Sequence, residues 1–295
     1  MIVVVTRPYA SVRRGLVVTT AATNLSAISR LFSSSVFRQL AEKGRSPLFA
    51  RLLADSGLLD MAMAAGTVGS SFDIAFAALR RSGMRDEYVY KSALTHNILL
   101  GRHSLKTACL LTEFRAGTSK ADVAILNGTS TVYEIKSERD TLSRLENQLQ
   151  NYRKVFAKVY VVVAEPFIDQ VLVQTDEDIG VMSLVRWDRV RTVREAVDRS
   201  DSVCPLTIFD SLRLPEAIEI LQSLDIEVPD LPNTKMRAAL RELFTELPPS
   251  SVHDEMVRVL KRVRSLATLG TLVDQLPQSL KPAALSTRLR SSDYD

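Results

Sequence analysis

From Lys158 to Ala164 the chain reads as an unbroken apolar run closed by Glu165-Pro166, the pattern of a short strand buried on both faces. Just upstream, Leu142, Leu145, Leu149, Tyr152 and Phe156 recur at helical spacing, which predicts an amphipathic helix from Thr141 onward. Before that helix, the stretch Ala121 to Lys136 alternates around Asn127-Gly128 and predicts a hairpin. A strand around Leu110 to Phe114 and a helix from roughly Glu87 to Leu100 precede the hairpin. The predicted order is helix, three strands, helix, strand.

Flanking segments carry helical signals. Leu25 to Leu40 is rich in apolar positions, Ser46-Pro47 predicts a helix start, and Gly66, Gly69, Ser70 and Ser71 predict a break before a short helix from Phe72 to Leu79. The first twenty residues, rich in Val, Thr and Arg, fit either a strand or a tail. Ile179 to Val185 predicts an edge strand, after which prolines punctuate short helices. Asn233-Thr234 opens a helix over Lys235 to Glu246, and Ser251-x-x-Asp254 resembles a capping box for a helix with Val252, Met256, Val259, Leu260 and Val263 on one stripe. The expected organisation is a helical lead-in over 1–85, an α/β core over 86–200 and a helical accessory region over 201–295.

At 295 residues and 46% hydrophobic content the chain can bury a large core. No apolar run approaches the ~20 residues of a membrane span, so a cytoplasmic protein is expected. Cys109 and Cys204 are isolated, which argues against disulfides and thiolate zinc sites and predicts reduced, buried thiols. His96, His103 and His253 are too scattered for a histidine metal motif, and no Ser-His-Asp arrangement is visible. A net charge of +4 leans toward an anionic partner. Arg186, Arg189, Arg191 and Arg194, with Trp187 among them, are candidates for a phosphate groove, against the alternative of a solvated helix face; Arg258, Lys261, Arg262 and Arg264 form a second basic cluster.

Asp122 and the Glu134-Ile-Lys136 triplet carry the chemistry. Alternation puts Glu134 and Lys136 on one face of a strand, with Asp122 on the preceding strand. Two carboxylates suit a hard cation such as Mg2+ or Mn2+, which takes oxygen ligands, and a lysine beside them can orient water and offset charge on a phosphate. Gln148 and Tyr152, four apart on the following helix, share a face that can reach this site. Geometry adds a condition. A two-residue turn at Asn127-Gly128 pairs Asp122 with Tyr133 and sends Glu134 to the opposite face, so a shared site requires a loop of odd length or a bulge.

With these residues the segment from about Glu87 to Ala164 resembles the PD-(D/E)XK nuclease superfamily, whose αβββαβ, restriction-endonuclease-like core carries Asp and then Glu-x-Lys on adjacent strands. Gln148-Leu-Gln-Asn-Tyr152 is similar to the Gln-x-x-x-Tyr signature of its RecB-like branch. Ala121 stands where the family name has proline. The resemblance implies a magnesium-dependent deoxyribonuclease with Asp122, Glu134 and Glu113 as metal ligands, Glu87 competing with Glu113 for that part. It further implies that Lys136 assists the attacking water and that Gln148 and Tyr152 place the DNA backbone. Replacing Asp122, Glu134 or Lys136 is then expected to spare the structure. The alternative is a catalytically silent nucleic-acid-binding or protein-interaction module that keeps the fold.

Overall fold

A computed structural model describes residues 24–81, 85–186 and 189–287, and divides the chain into two compact units, residues 1–92 with 269–295 and residues 93–268. The reading of the first twenty residues, and Trp187, lie outside the described residues.

The first unit opens with α1 (Leu25–Leu31), α2 (Ser34–Lys43), α3 (Pro47–Asp55), α4 (Leu59–Ala65), α5 (Val68–Arg81) and α6 (Glu87–Leu94). Two starts follow from local chemistry. Asn24 Oδ1 accepts from the Ala27 amide at 3.2 Å. Ser46 Oγ accepts from the Phe49 amide at 3.0 Å, with Pro47 at the first helical position, where no amide is needed. Phe32 packs on Phe72, Phe76 and Tyr88, the last a stacked pair with centroids 4.3 Å apart.

The second unit is built on a six-stranded mixed sheet in sequential order: β1 (Cys109–Ala116), β2 (Ser119–Leu126), β3 (Ser130–Lys136), β4 (Lys158–Val163), β5 (Gly180–Val185) and β6 (Arg189–Arg194). The first three strands are antiparallel, β3, β4 and β5 are parallel, and β6 returns antiparallel. Parallel pairing requires crossovers, supplied by α7 (Leu145–Arg153) and α8 (Ile168–Gln174). The helix before β1 is longer than α6 alone, because Thr95–Leu99 continues as a π-helical turn. β4 is buried along its length except at Lys158, as its apolar run predicts.

Two expectations fail here. Ile179 to Val185 yields β5, but it is interior, because Arg189–Arg194 pairs outside it as β6. The arginine segment alternates exposed and half-buried along this edge strand, so it is not a helix face. Its alternation of Arg with Val and Thr is a strand pattern that the charges obscure.

After β6 come α9 (Pro205–Ser211), α10 (Leu214–Ser223), α11 (Asn233–Thr245) and α12 (Pro249–Val263). Helix α12 begins at Pro249, not at the Ser251 capping box, since proline's fixed φ suits the first turn. These helices share one apolar core with the sheet: Phe209, Ile220, Phe244 and Met256 pack in the same cluster as Val132, Val159 and Val161. Residues 201–268 therefore belong with the strands. The rest of the expected accessory region returns to the first unit as α13 (Gly270–Gln275) and α14 (Lys281–Ser286), tied there by Ser279 Oγ to Asp73 Oδ1 at 2.6 Å and by the Tyr88 hydroxyl to Ser279 O at 2.5 Å. Among the described residues no helix is long and apolar enough to cross a membrane.

Candidate active site

The loop between β2 and β3 is three residues long, Asn127 to Thr129, with Leu126 opposite Ser130 and Val123 opposite Tyr133. It is closed by the Asn127 amide donating to Thr129 O at 2.9 Å, and Gly128 sits at φ 72°, where an L side chain is strained. This odd loop continues the register to Asp122 opposite Glu134. The β1–β2 register, Thr112 opposite Val123 and Phe114 opposite Ala121, in turn sets Glu113 opposite Asp122. Three carboxylates thus form one row across three adjacent strands.

The row lies where regular pairing breaks. Glu113 adopts φ 52° in the middle of β1, a left-handed conformation that costs about 1–3 kcal/mol for a non-glycine residue. Its effect is visible in the packing. Cys109 and Leu111 share the core cluster with Phe114 and Ala116, so the strand changes parity at Glu113, and the glutamate stays exposed. Paired residues of β2 and β3 end at Val123 and Tyr133; beyond them Asp122 Oδ2 accepts from the Ile135 amide at 2.8 Å. A side chain thereby completes the ladder, and a carboxylate is fixed beside β3.

Glu134 and Lys136 point toward α7 and are buried, 1% and 5% exposed. Lys136 Nζ donates to Glu134 Oε1 at 2.7 Å and to Gln148 Oε1 at 2.8 Å, and the Tyr152 hydroxyl lies 2.6 Å from Glu134 Oε2 and 2.8 Å from Lys120 O. Burial first, then the negative charge of Glu134, pushes the Tyr152 hydroxyl well above its ordinary value, so it remains a donor. Asp122, Glu134, Lys136, Gln148 and Tyr152 therefore converge. Tyr152 is fully buried against Glu134, and Gln148, half-buried, is bonded to Lys136. For Glu134 and Lys136 the expectation that replacements spare the structure changes, because removing one partner of a buried ion pair costs about 3–5 kcal/mol.

In the second unit, Glu113 has an oxygen within 4.8 Å of one on Asp122. Glu87 begins α6 in the first unit and pairs with Lys91 at 2.5 Å, an i,i+4 contact. Within the second unit, Glu113 and Asp122 are the two carboxylates close enough to approach one divalent ion among the described residues. Oxygens about 2.1 Å from one magnesium are at most ~4.2 Å apart, a small side-chain adjustment from the Glu113–Asp122 separation. Each Glu134 oxygen accepts one hydrogen bond and retains capacity for another.

Sequence reasoning misses Asn151, which docks α7. Its Nδ2 donates toward Thr118 Oγ1 and Ser119 Oγ, both at 3.1 Å, and Asn147 O at 2.8 Å. Gly117 sits beneath it at φ 56°, and a Cβ there would come within 2.3 Å of Asn151 Oδ1. The signal present in the sequence is a turn glycine thirty-odd residues from an asparagine that reads as a solvated helix position. Only the fold makes them neighbours.

The basic clusters resolve differently. Arg194 donates to Ile179 O at 2.7 Å and is structural, whereas Arg189 and Arg191 are exposed on β6. On α12, Arg264 makes a bidentate pair with buried Glu216, Nε to Oε1 at 2.8 Å and NH2 to Oε2 at 2.7 Å, and lies over the Phe114 ring. Arg262 pairs with Glu219 and Arg258 with Glu255, so three members of that cluster are neutralised by acids of α10 and α12. Cys109 is buried, its thiol pushed up to about 11 chiefly by burial; Cys204 is only half-buried. A Ser-His-Asp chain does exist, Ser130 Oγ to His253 Nε2 at 2.8 Å and His253 Nδ1 to Asp254 Oδ1 at 2.9 Å. Ser130 is 0% exposed and accepts from the Ala157 amide, so this chain ties α12 to the sheet and offers no nucleophile to solvent.

Comparison with known proteins places a family on this architecture. Residues 80–277 match the family model described as bacteriophage P4 protein cII, over more than half of the chain. The chain is 41% identical over 63 residues to protein cII of Enterobacteria phage P4, a stretch covering 21% of this chain and 24% of that protein, so the match spans about a quarter of its length. A solved structure, a protein of unknown function from Silicibacter pomeroyi, is 22% identical with a TM-score of 0.28, covering 40% of this chain and 80% of that one. That similarity is too low to carry the fold across. Every strand and the whole strand-and-α7 site fall within the matched segment, and the chain belongs to the bacteriophage P4 protein cII family.

Proposed function

We propose that the second unit is a PD-(D/E)XK-type, restriction-endonuclease-like core and that the protein is a metal-dependent nuclease hydrolysing DNA phosphodiester bonds. Neither family description nor relative names a chemistry, so the reading rests on the site. One observation carries it: Lys136, clamped between Glu134 and Gln148, shares a strand junction with Asp122 and the strained, exposed Glu113. The resemblance in motif supplies DNA as substrate, and the net charge of +4 agrees with an anionic one.

Glu113, Asp122 and Glu134 would hold the ion, which when bound supplies Lewis-acid stabilisation of charge on the phosphate. The chain's residues do the rest. Asp122 is locked by the Ile135 amide and cannot swing away from β3. Tyr152 holds one oxygen of Glu134 and Lys136 the other, which fixes the carboxylate plane. Two of the three protons on Lys136 have protein partners, and the third can hold a water or a phosphate oxygen. The ammonium offsets negative charge as it develops there.

Asp122→Asn tests the reading most cleanly, because the amide oxygen can still accept from Ile135 while the charge is lost. Cleavage of linear and circular DNA in magnesium should be abolished, with the circular dichroism spectrum unchanged. A wild type that cleaves neither DNA sinks the proposal, and so does an Asp122→Asn variant that cleaves like the wild type.

A further inference from the structure

Beside the tip of the β1–β2 hairpin lies a cavity of about 440 Å³, lined by Arg115, Gly117 and Thr118 of the hairpin, Thr207 and Asp210 of α9, and Arg237 of α11. Apart from Gly117, every residue that lines it carries a polar or charged group. A site for an apolar small molecule is lined mainly by aliphatic and aromatic side chains, and none of these six residues is one.

The charges are unevenly matched. Arg237 lies over the Phe209 ring with its guanidinium 4.7 Å from the centroid, which holds the group in place. Its ion pair with Asp210 is long, 3.9 Å, and Arg241 approaches the other oxygen of that carboxylate at 3.7 Å. Arg115 donates Nε to Gly117 O at 3.3 Å, an interaction that leaves its paired terminal nitrogens as donors. Asp210 is thus shared at long range by Arg237 and Arg241, while Arg115 and two threonines line the same cavity. Guanidinium forks with hydroxyl donors match phosphate oxygens.

Position decides which phosphate. Arg115 is two residues from Glu113 on β1, about 7 Å at the rise of a strand. Thr118 accepts from Asn151 of α7, the helix carrying Gln148 and Tyr152, and Gly117 lies close against that asparagine. A nucleic-acid strand with one phosphate at the carboxylate row can set a nearby one in this cavity, since its charges repeat every few ångströms. We infer that the cavity is a subsite for a backbone phosphodiester of the substrate strand, flanking the one that is cut. The inference rests on the nuclease reading.

The test is fluorescence anisotropy with a labelled single-stranded DNA, in EDTA so that no cleavage intervenes. It compares the wild type, Arg115→Ala with Arg237→Ala, and Arg38→Ala with Arg51→Ala, a control that removes equal charge from exposed helix positions of the first unit. Arg115→Gln with Arg237→Gln keeps the side-chain stems should the alanine pair misfold. The cavity variant should bind about tenfold or more weakly, and its plot of log affinity against log salt should flatten by about 1.4, roughly 0.7 per lost contact. Equal weakening of both double variants overturns the inference, because net charge alone then explains it. Inorganic phosphate, titrated by calorimetry, separates the sources: phosphate binding lost in the cavity variant while DNA affinity stays at the wild-type value means a free-anion pocket and overturns it too. A wild type that cleaves DNA while the cavity variant binds normally removes the subsite alone. A protein that never cleaves but loses DNA binding specifically in the cavity variant keeps the subsite and removes the nuclease reading.

Discussion

Two ion pairs, each with a buried glutamate, lie in the second unit and are built to opposite ends. Glu216 and Arg264 join α10 to α12 in a closed, bidentate contact, with the guanidinium over Phe114 and the second glutamate oxygen also accepting from the Arg213 amide. Donors and acceptors are matched, so the pair holds helices together. Glu134 and Lys136 sit on one strand, use a single short contact, and share their remaining capacity with Tyr152 and Gln148 beside two carboxylates that are not buried. The first pair is complete without a ligand. The second leaves an ammonium proton and carboxylate acceptors for something else, and the proposed nuclease reading rests on this incompleteness, not on burial of charge alone.

The largest expected effect is catalytic. Lys136→Met keeps the side chain's length but removes the ammonium, and DNA cleavage should fall by about 10²- to 10⁴-fold. Unfolding monitored by denaturant should also show a loss of about 3–5 kcal/mol, since Glu134 is left buried without its cation. If cleavage survives in the folded fraction, the two pairs do not differ in kind.

Arg264→Met should lose a similar ~3–5 kcal/mol by stranding Glu216, while cleavage per folded molecule stays at the wild-type level. A selective loss of activity would erase the contrast.

The pairs also differ in acid. Burial alone would push the Glu216 carboxyl up, but the hydrogen bonds and charge of Arg264 and the Arg213 amide outweigh it and hold the group below the ordinary carboxylate value. A depressed folded value means that the pair's contribution is fully present above the unfolded value, about pH 4.3, and is lost as pH falls through the lower folded one. Glu216→Gln should therefore flatten the acid limb of a stability–pH curve, measured by thermal melts; an unchanged limb would show that the carboxylate is not held in its charged form.

Gln148→Ala should have the smallest effect on stability, about 1 kcal/mol for one hydrogen bond to a half-buried group, together with a clear drop in cleavage as Lys136 loses one of its two anchors. Full activity would remove Gln148 from the site.

The amino-acid sequence alone determined the secondary elements of the core, because β4 is a nearly pure apolar run and α7 a clean helical stripe, and it singled out Asp122, Glu134, Lys136, Gln148 and Tyr152, because alternation and i,i+4 spacing are local rules. It did not show β6, whose arginines mask a strand pattern, or that residues 201–268 complete the core of the sheet while 269–295 return to the first unit. Tertiary structure alone decided the rest. The three-residue loop chose the register that aligns Glu113, Asp122 and Glu134, the left-handed turn of β1 kept Glu113 in solvent, and Asn151 seated α7 over Gly117. Each of these depends on backbone geometry or on residues distant in the chain, and periodicity carries no record of either.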